Sequence, residues 1–348
     1  MHARELTAAG LRDERTAEAY LCCGRYLARR NSAAYPAARS LMPPGKRPYW
    51  DAILAFSTYV DDLIDDSSQP TGQRLSRYDA YVQEFLALLE GAGDRRSLPE
   101  MARDRTGWQL ALAFHHFVRT WDIPEESVRR FLTTIRTDLW VTEYPQYADL
   151  AEYIDGVCGQ GTLWGNALLE PRSDAAAGLA VAASFGLQLT DYLRDLSEDL
   201  ADGRLYLPLE ELRAFGLTRE SVEQAARDRR MTPPLRELVE FQTDRARRCF
   251  AEAADWWRLV HPSARELPRT YVRLGRGSLE QIRWSGHDIF HTPLRARLAC
   301  ATASCAGFAA GYFRAAAGRR AAGRRRSAPG PAPAEHPRTQ GAPRPGRG

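Results

Sequence analysis

Residues 185–199 read Phe-Gly-Leu-Gln-Leu-Thr-Asp-Tyr-Leu-Arg-Asp-Leu-Ser-Glu-Asp, and the spacing of their polar side chains decides the fold. Gln188, Asp191, Asp195 and Asp199 fall at steps of three, four and four, the repeat that places side chains on one face of an α-helix. The turns before them, Ala175 to Leu189, are almost wholly apolar. A helix that is apolar all round is buried. The carboxylate row that continues it is therefore expected to point into an enclosed space or its mouth, where it needs cations.

A second acidic run, Asp61-Asp62-Leu63-Ile64-Asp65-Asp66, closes a helix expected to begin near Pro48. Asp61 and Asp65 stand one turn apart on one face, and Asp62 and Asp66 repeat this about 100° around the axis. Like charges so placed repel by a few tenths of a kcal/mol, roughly, which calls for compensation if the face is enclosed. Outward from these two runs the pattern stays helical, as in Ile53, Phe56, Val60, Ile64 and in Leu179, Ala183, Gly186, Leu187, Thr190, Leu193. Breaks fall at Pro43-Pro44-Gly45, Ser67 to Gly72, Gly91 to Asp94, Pro171 to Asp174 and Pro233-Pro234. Alternation of strands with helices is missing, which argues against a dinucleotide-binding α/β fold, and no long repeat is visible. The reading is all-α: an N-terminal extension over residues 1–14, one helical domain over 15–315, and a disordered Arg/Pro/Gly-rich tail over 316–348.

The 348 residues are 44% hydrophobic and 26% charged, a globular balance. The net charge is +4, but residues 319–348 hold eight Arg and one Glu, so the remainder is slightly acidic. The basic character belongs to the tail and gives no support to nucleic-acid binding. The cysteines, Cys22, Cys23, Cys158, Cys249, Cys300 and Cys305, form no metal-binding spacing and are expected to be reduced thiols. The opening residues Met1 to Glu14 do not read as a targeting sequence, so a cytoplasmic location is expected. Leu298 to Phe313 is the most apolar run and is short for a membrane span. A packed C-terminal helix is expected, with peripheral contact to a membrane as the alternative; no obligate protein partner is evident.

Carboxylate oxygens suit hard divalent cations, and Mg²⁺ takes one or two carboxylates and completes its shell with water and substrate phosphates. Two facing D-x-x-x-D rows would hold Mg²⁺ between them, and a diphosphate could bridge it. Charge developing on a departing diphosphate is then neutralised. An allylic substrate would leave a resonance-stabilised carbocation, which an apolar pocket shields from water. A single such row is commonly a solvated surface; the case rests on the pair.

At these residues the chain resembles the squalene/phytoene synthase family. Phe185 to Asp199, followed by Gly203-Arg-Leu-Tyr-Leu-Pro208, is similar to that family's long signature. Asp61 to Asp65 resembles its first Asp-rich motif, Tyr153 to Gly159 the segment before its Val-Ala-Gly element, and Gly286-His-Asp-Ile-Phe290 a segment near its C-terminus. The resemblance covers about residues 15–297. It implies a single-domain isoprenoid-synthase helical bundle with a central apolar cavity, Mg²⁺ as cofactor, and allylic prenyl diphosphates as substrates, joined in that family head to head through a cyclopropyl intermediate. It implies metal binding by Asp61, Asp65, Asp195 and Asp199, diphosphate or active-site contacts by Gln188 and Arg194, and a pocket role for Tyr153. Arg194 suits phosphate as a permanent, forked cation.

Several substrate-facing positions depart from the family pattern. Leu54 and Thr58 stand where the family usually has Tyr and Arg, on the stripe of Asp61 and Asp65. Asp191 replaces an Asn, and Ser32-Ala-Ala-Tyr35 stands for Ser-x-Ser-Phe. Loss of a guanidinium at Thr58 puts a second diphosphate in doubt and suits an uncharged acceptor. The preferred reading is therefore transfer of a prenyl group to a small electron-rich aromatic such as a carbazole, in secondary metabolism. The alternative is head-to-head coupling; terpene cyclisation and a catalytically silent partner subunit rank lower. Tyr271 is a candidate for the family's C-terminal active-site tyrosine. His115-His116 is expected not to bind metal, because adjacent side chains on a helix diverge. Trp108, Trp121, Trp140 and Trp164 read mainly as core, although one lining the pocket would suit cation–π stabilisation.

Overall fold

The computed structural model describes residues 2–30, 34–66, 68–91 and 104–327. Among them the chain is helical throughout, with only isolated β-bridges between Glu143 and Leu205 and between Pro171 and Val260. The helices are α1 (His2–Ala8), α2 (Glu14–Ala28), α3 (Ala34–Leu41), α4 (Arg47–Asp65), α5 (Thr71–Leu89), α6 (Arg105–Thr120), α7 (Glu125–Ile135) and α8 (Tyr147–Ile154). A π-helical turn (Asp155–Gly159) runs straight into α9 (Gln160–Leu168). Then follow α10 (Ala175–Arg194), α11 (Leu196–Ala201), α12 (Leu209–Ala214), α13 (Arg219–Arg227), α14 (Pro233–Glu252), α15 (Glu266–Trp284) and α16 (Leu294–Ser327).

The sequence sets the helix ends by simple chemistry. Asp13 accepts from the Thr16 amide at the start of α2, and Asp104 from the Gly107 amide at the start of α6. Pro233 and Pro234, read as a break, occupy the first turn of α14, where a missing amide costs nothing.

Helix α10 is central: α14 packs along it, α15 crosses both, and the π turn and α9 fill the space between α10 and α4. Helices α2, α4 and α6 make the neighbouring layer, with Phe56 and Phe114 stacked at 4.0 Å between α4 and α6. A second apolar cluster, including Leu193, Leu196, Leu205, Leu207, Leu212, Leu235 and Phe290, packs α11 to α14 and stands behind the second aspartate row. Residues 2–14, read as an extension, pack against the body. Buried Glu5 of α1 receives Arg39 of α3 at 2.6 Å and Arg47 of α4 at 2.7 Å, and Arg39 also grips the buried Asp51. Helix α16 runs on past 315 to Ser327, where a disordered tail was expected; residues 328–348 lie outside the described residues.

Phe250 of α14 is the fully buried key between α10 and α15, and it fits because Gly186 and Gly275 carry no side chain. A Cβ on Gly275 would stand 2.2 Å from the ring. Gly275→Ala is expected to cost about 1–3 kcal/mol by overpacking. Gly178→Ala, on the exposed face of α10 with nothing near its Cβ, is expected to gain about 0.5–1 kcal/mol. Denaturant midpoints of the two variants check the pair; equal shifts would contradict this packing.

Candidate active site

The first acid row splits as its spacing requires. Asp62 is taken by Tyr26 and Arg30 of the α2 end, and Asp66 by Ser68 and by Arg77 at 3.5 Å. Asp61 stands on the neighbouring face, and exposed Asp65 lies between, lining an open cleft with Asp62 and Asp66 while reaching Arg204. Asp65 receives Arg204 at 2.8 Å, while no described side chain donates to Asp61. Burial, with the Asp65 charge added, pushes Asp61 up to about 6.

The second row is not one unbroken helix. Asp195 leaves helical geometry and forms the joint between α10 and α11. The turn is still bridged, since the Asp195 amide bonds the Asp191 carbonyl at 2.8 Å and the Asp199 amide bonds the Asp195 carbonyl at 2.9 Å. Asp191, Asp195 and Asp199 therefore keep nearly one direction. Burial drives Asp191 up to about 6 and, helped by the Asp195 charge, Asp199 up to about 7. Arg194 and Asp195 are exposed and open on a cleft of about 170 Å³ shared with Ser278, Gln281 and Asp288.

Arg204 joins the two rows. Its guanidinium bonds Asp65 of α4, and its backbone amide bonds the Asp199 carbonyl at 2.7 Å. The turn that carries it is fixed by Arg219, which donates to the Gly203 carbonyl at 2.7 Å. Burial opposes the Arg204 charge, but the Asp65 bond outweighs it and raises the pKa. A further carboxylate, Asp138, lies within the same field. Burial pushes it up to about 7, and the charges of Asp61 and Asp65 add to this, while the Tyr153 hydroxyl donates to it at 2.7 Å.

Tyrosines wall this space. Tyr192 and Tyr206 stack at 4.1 Å, and Tyr144 and Tyr153 close on Tyr206 at 5.9 and 6.0 Å. Among the described residues the buried hydroxyl of Tyr144 has no close hydrogen-bond partner, and that of Tyr192 has Gln188 beside it. Deeper in, the Cys158 thiol donates to Gln188 at 2.9 Å, and burial raises its pKa to about 12, with Asp191, Asp138 and Asp61 contributing. Cys158 and Tyr271 are partly buried close to Asp191, whose charge helps to raise the pKa of both. The π turn carries Cys158 there. It is closed against α7, where a Cβ on Gly156 would strike Thr134 at 2.2 Å.

Of the sequence candidates, the structure thus brings Asp61, Gln188, Asp191, Asp199, Tyr153 and Tyr271 into one half-buried neighbourhood around Asp138 and Cys158; Arg194 pairs with Asp191 at 3.3 Å and opens with Asp195 on the adjoining cleft, and Asp65 lies exposed beside Arg204. Leu54 and Thr58 lie partly buried on the same α4 stripe. Tyr35 is apart: its hydroxyl donates to Asp51 at 2.7 Å, about 15 Å along α4 from Asp61. Ser32 and Ala33 lie outside the described residues. Two functional-looking residues escaped sequence reasoning, Arg204 and Asp138. Arg204 had a signal, its place in the Gly203 to Pro208 turn; Asp138 had none. The tryptophans are structural: Trp164 donates to Ser127, Trp121 covers Lys46, Trp108 covers Arg15, and Trp140 lies on the surface under Arg136. His116 pairs with Tyr20 at 3.0 Å.

Among the described residues no three acidic, His or Cys side chains gather closely enough to hold a metal alone. The residues nonetheless fit Mg²⁺, which needs only one or two carboxylates per ion when phosphate supplies the rest. Asp61 is a half-buried carboxylate to which no described side chain donates, and the buried Tyr144 hydroxyl nearby has no described partner.

The Asp138 shift has a clear sign. Its folded pKa lies above the unfolded value, so the stability it contributes is full below about pH 4 and is lost as pH rises through about 7. In metal-free protein, Asp138→Asn is expected to raise the denaturation midpoint more at pH 8 than at pH 4. A uniform shift at both would contradict the burial argument.

The chain matches the family described as squalene/phytoene synthase over residues 28–301. It is 27% identical over 288 residues to the 15-cis-phytoene synthase of Synechocystis sp., covering 79% of each chain. It is 28% identical over 244 residues to the chloroplastic phytoene synthase 2 of Solanum lycopersicum, covering 68% of this chain and 72% of that one. Among solved structures it is similar to squalene synthase HpnC from Alicyclobacillus acidocaldarius, with a TM-score of 0.67 and 25% identity, covering 80% of this chain and 98% of that one. A dehydrosqualene synthase in complex with ligand has the same fold, with a TM-score of 0.67 at 20% identity, covering 84% of this chain and 96% of that one.

Proposed function

Because the chain belongs to the squalene/phytoene synthase family, whose members are prenyltransferases, we propose that it joins two allylic prenyl diphosphates head to head. Relatives named phytoene synthase and squalene synthase favour this reaction over the aromatic transfer preferred from the sequence alone. The observation within the chain that carries it is Arg204. The argument for a neutral acceptor rested on the guanidinium lost at Thr58, and Arg204 supplies one to the same carboxylates from another element. With Arg194 at the rim, two arginines are available for two diphosphates.

Asp61 and Asp65 on one side, and Asp195 and Asp199 on the other, would hold Mg²⁺. When bound, Mg²⁺ neutralises the charge that develops on the departing diphosphate. Arg204 and Arg194 donate to phosphate oxygens and orient the leaving group. The faces of Tyr153 and Tyr206 offer quadrupole stabilisation to an allylic cation. Leu54, Thr58 and the apolar turns of α10 keep water from the cation. A second reading, transfer to an aromatic acceptor, keeps one specific support: the uncharged pair Leu54 and Thr58 on the stripe of Asp61 and Asp65.

Product analysis decides between the two. With farnesyl or geranylgeranyl diphosphate and Mg²⁺, the expected product is a hydrocarbon holding two prenyl chains. Prenylated aromatic product with no hydrocarbon, when an aromatic acceptor is added, would overturn the proposal. Asp61→Asn and Asp195→Asn are each expected to lower kcat roughly 10²-fold or more. Thr58→Arg is expected to lower KM for the diphosphate; if it instead abolishes transfer to an aromatic acceptor, the second reading stands.

A further inference from the structure

On its solvent side, helix α2 carries Glu18, Cys22, Arg25 and Arg29 at steps of four, three and four, so the four share one face. That face lies across from the start of α6. Arg105, Thr106 and Gln109 of α6, with Tyr26, complete a cleft of about 200 Å³. None of these residues belongs to the two acid rows. Three guanidiniums meet a single carboxylate here. Arg25 is divided between Glu18, at 2.6 Å, and the Cys22 thiol. The side chains of the exposed Arg29 and Arg105 donate to no described residue.

The neutral groups of the lining are uncommitted as well. The side-chain oxygen of Gln109 is buried without a partner, which leaves its amide nitrogen, also without a described partner, as the open end. The Thr106 hydroxyl bonds no described residue. Apart from Glu18, already paired, the cleft therefore offers mainly donors, and its positive charges repel one another in a concavity that focuses their field. The chemistry of the donors identifies the occupant. A lone carboxylate satisfies one forked guanidinium, whereas a diphosphate carries enough oxygens and charge for two or three.

We propose that the cleft between α2 and the start of α6 binds a diphosphate group, with Arg29 and Arg105 forked onto its oxygens and Arg25, Thr106 and Gln109 closing around it. This site goes beyond the proposed reaction and does not rest on it. It needs no metal, because the arginines supply the counter-charge, whereas the acid rows repel an anion unless a cation is bound. Tyr26 links the two places: it lines the cleft and donates to Asp62 in the first acidic run.

The full-length protein is titrated calorimetrically with sodium diphosphate in the presence of a chelator, so that the acid rows hold no metal. Saturable binding that weakens at high salt is expected. Arg29→Gln/Arg105→Gln is expected to lower the affinity roughly tenfold or more, with an unchanged circular dichroism spectrum and melting temperature. Arg194→Gln, which alters the rim of the active site, is expected to leave the affinity unchanged. Cys22 gives a local readout, since its half-buried thiol lines the cleft. Diphosphate is expected to slow alkylation of Cys22 by iodoacetamide, relative to the exposed Cys305 and followed by peptide mass spectrometry, in the wild type and not in the double variant. Adenosine diphosphate is the second ligand. Weaker binding than that of the free ion assigns the site to the free ion, and equal or tighter binding assigns it to a nucleotide; both uphold a diphosphate site. Absence of saturable binding, full affinity in the double variant, loss of binding in Arg194→Gln, or alkylation of Cys22 unaffected by diphosphate would overturn the proposal.

Discussion

Carboxylates brought together in a water-poor space repel one another and resist ionisation, and the whole site depends on how that repulsion is held. Asp61, Asp138, Asp191 and Asp199 are all pushed to about 6 or 7, well above an exposed carboxylate. A chain selected for stability alone would replace them with amides or apolar groups, because buried like charges cost free energy. Their retention on separate elements makes sense where a cationic ligand completes the arrangement. Arg204 is the built-in cation: it ties Asp65 of α4 to the joint between α10 and α11.

The rest of the bundle keeps that arrangement in register. The apolar turns of α10 and the key residue Phe250 fix its position between α14 and α15. The leucine cluster behind α11 to α14 fixes the Arg204 turn. The π turn inserts one wider coil between α8 and α9, which brings Cys158 and Gln188 together across the chamber. Opposite, the Glu5, Arg39, Asp51 and Arg47 network anchors the start of α4, so the stripe ending at Asp65 enters at a set angle.

Both acid rows were legible in sequence because α-helical spacing alone places their members on one face. The same spacing sets Asp62 and Asp66 about 100° from Asp61 and Asp65, and their described partners differ: Tyr26 and Arg30 for Asp62, Ser68 and Arg77 for Asp66, Arg204 for Asp65. What escaped was long-range. Asp138 sits in a short 3₁₀ turn with no acidic neighbour of its own, and only folding brings it into the field of Asp61 and Asp65. Arg204 stood within a recognised turn, but its partner Asp65 is 139 residues away in sequence. Tyr35 was judged by its place in a motif, whereas its hydroxyl is committed to Asp51. Residues 1–14 read as an extension because burial of Glu5 between two arginines leaves no local signature. The outward-facing side chains of α16 were hidden by an apolar run that reads equally well as packed core.

In the proposed reaction these carboxylates would act as a half-site that magnesium and diphosphate complete together. Calorimetric titration tests it directly, with a non-reactive thio-analogue of an allylic diphosphate as ligand. Mg²⁺ alone is expected to bind weakly, because no described trio of carboxylates encloses an ion, and the analogue is expected to bind far more tightly with Mg²⁺ than with a chelator present. Equal affinity for the analogue with and without the ion would contradict it.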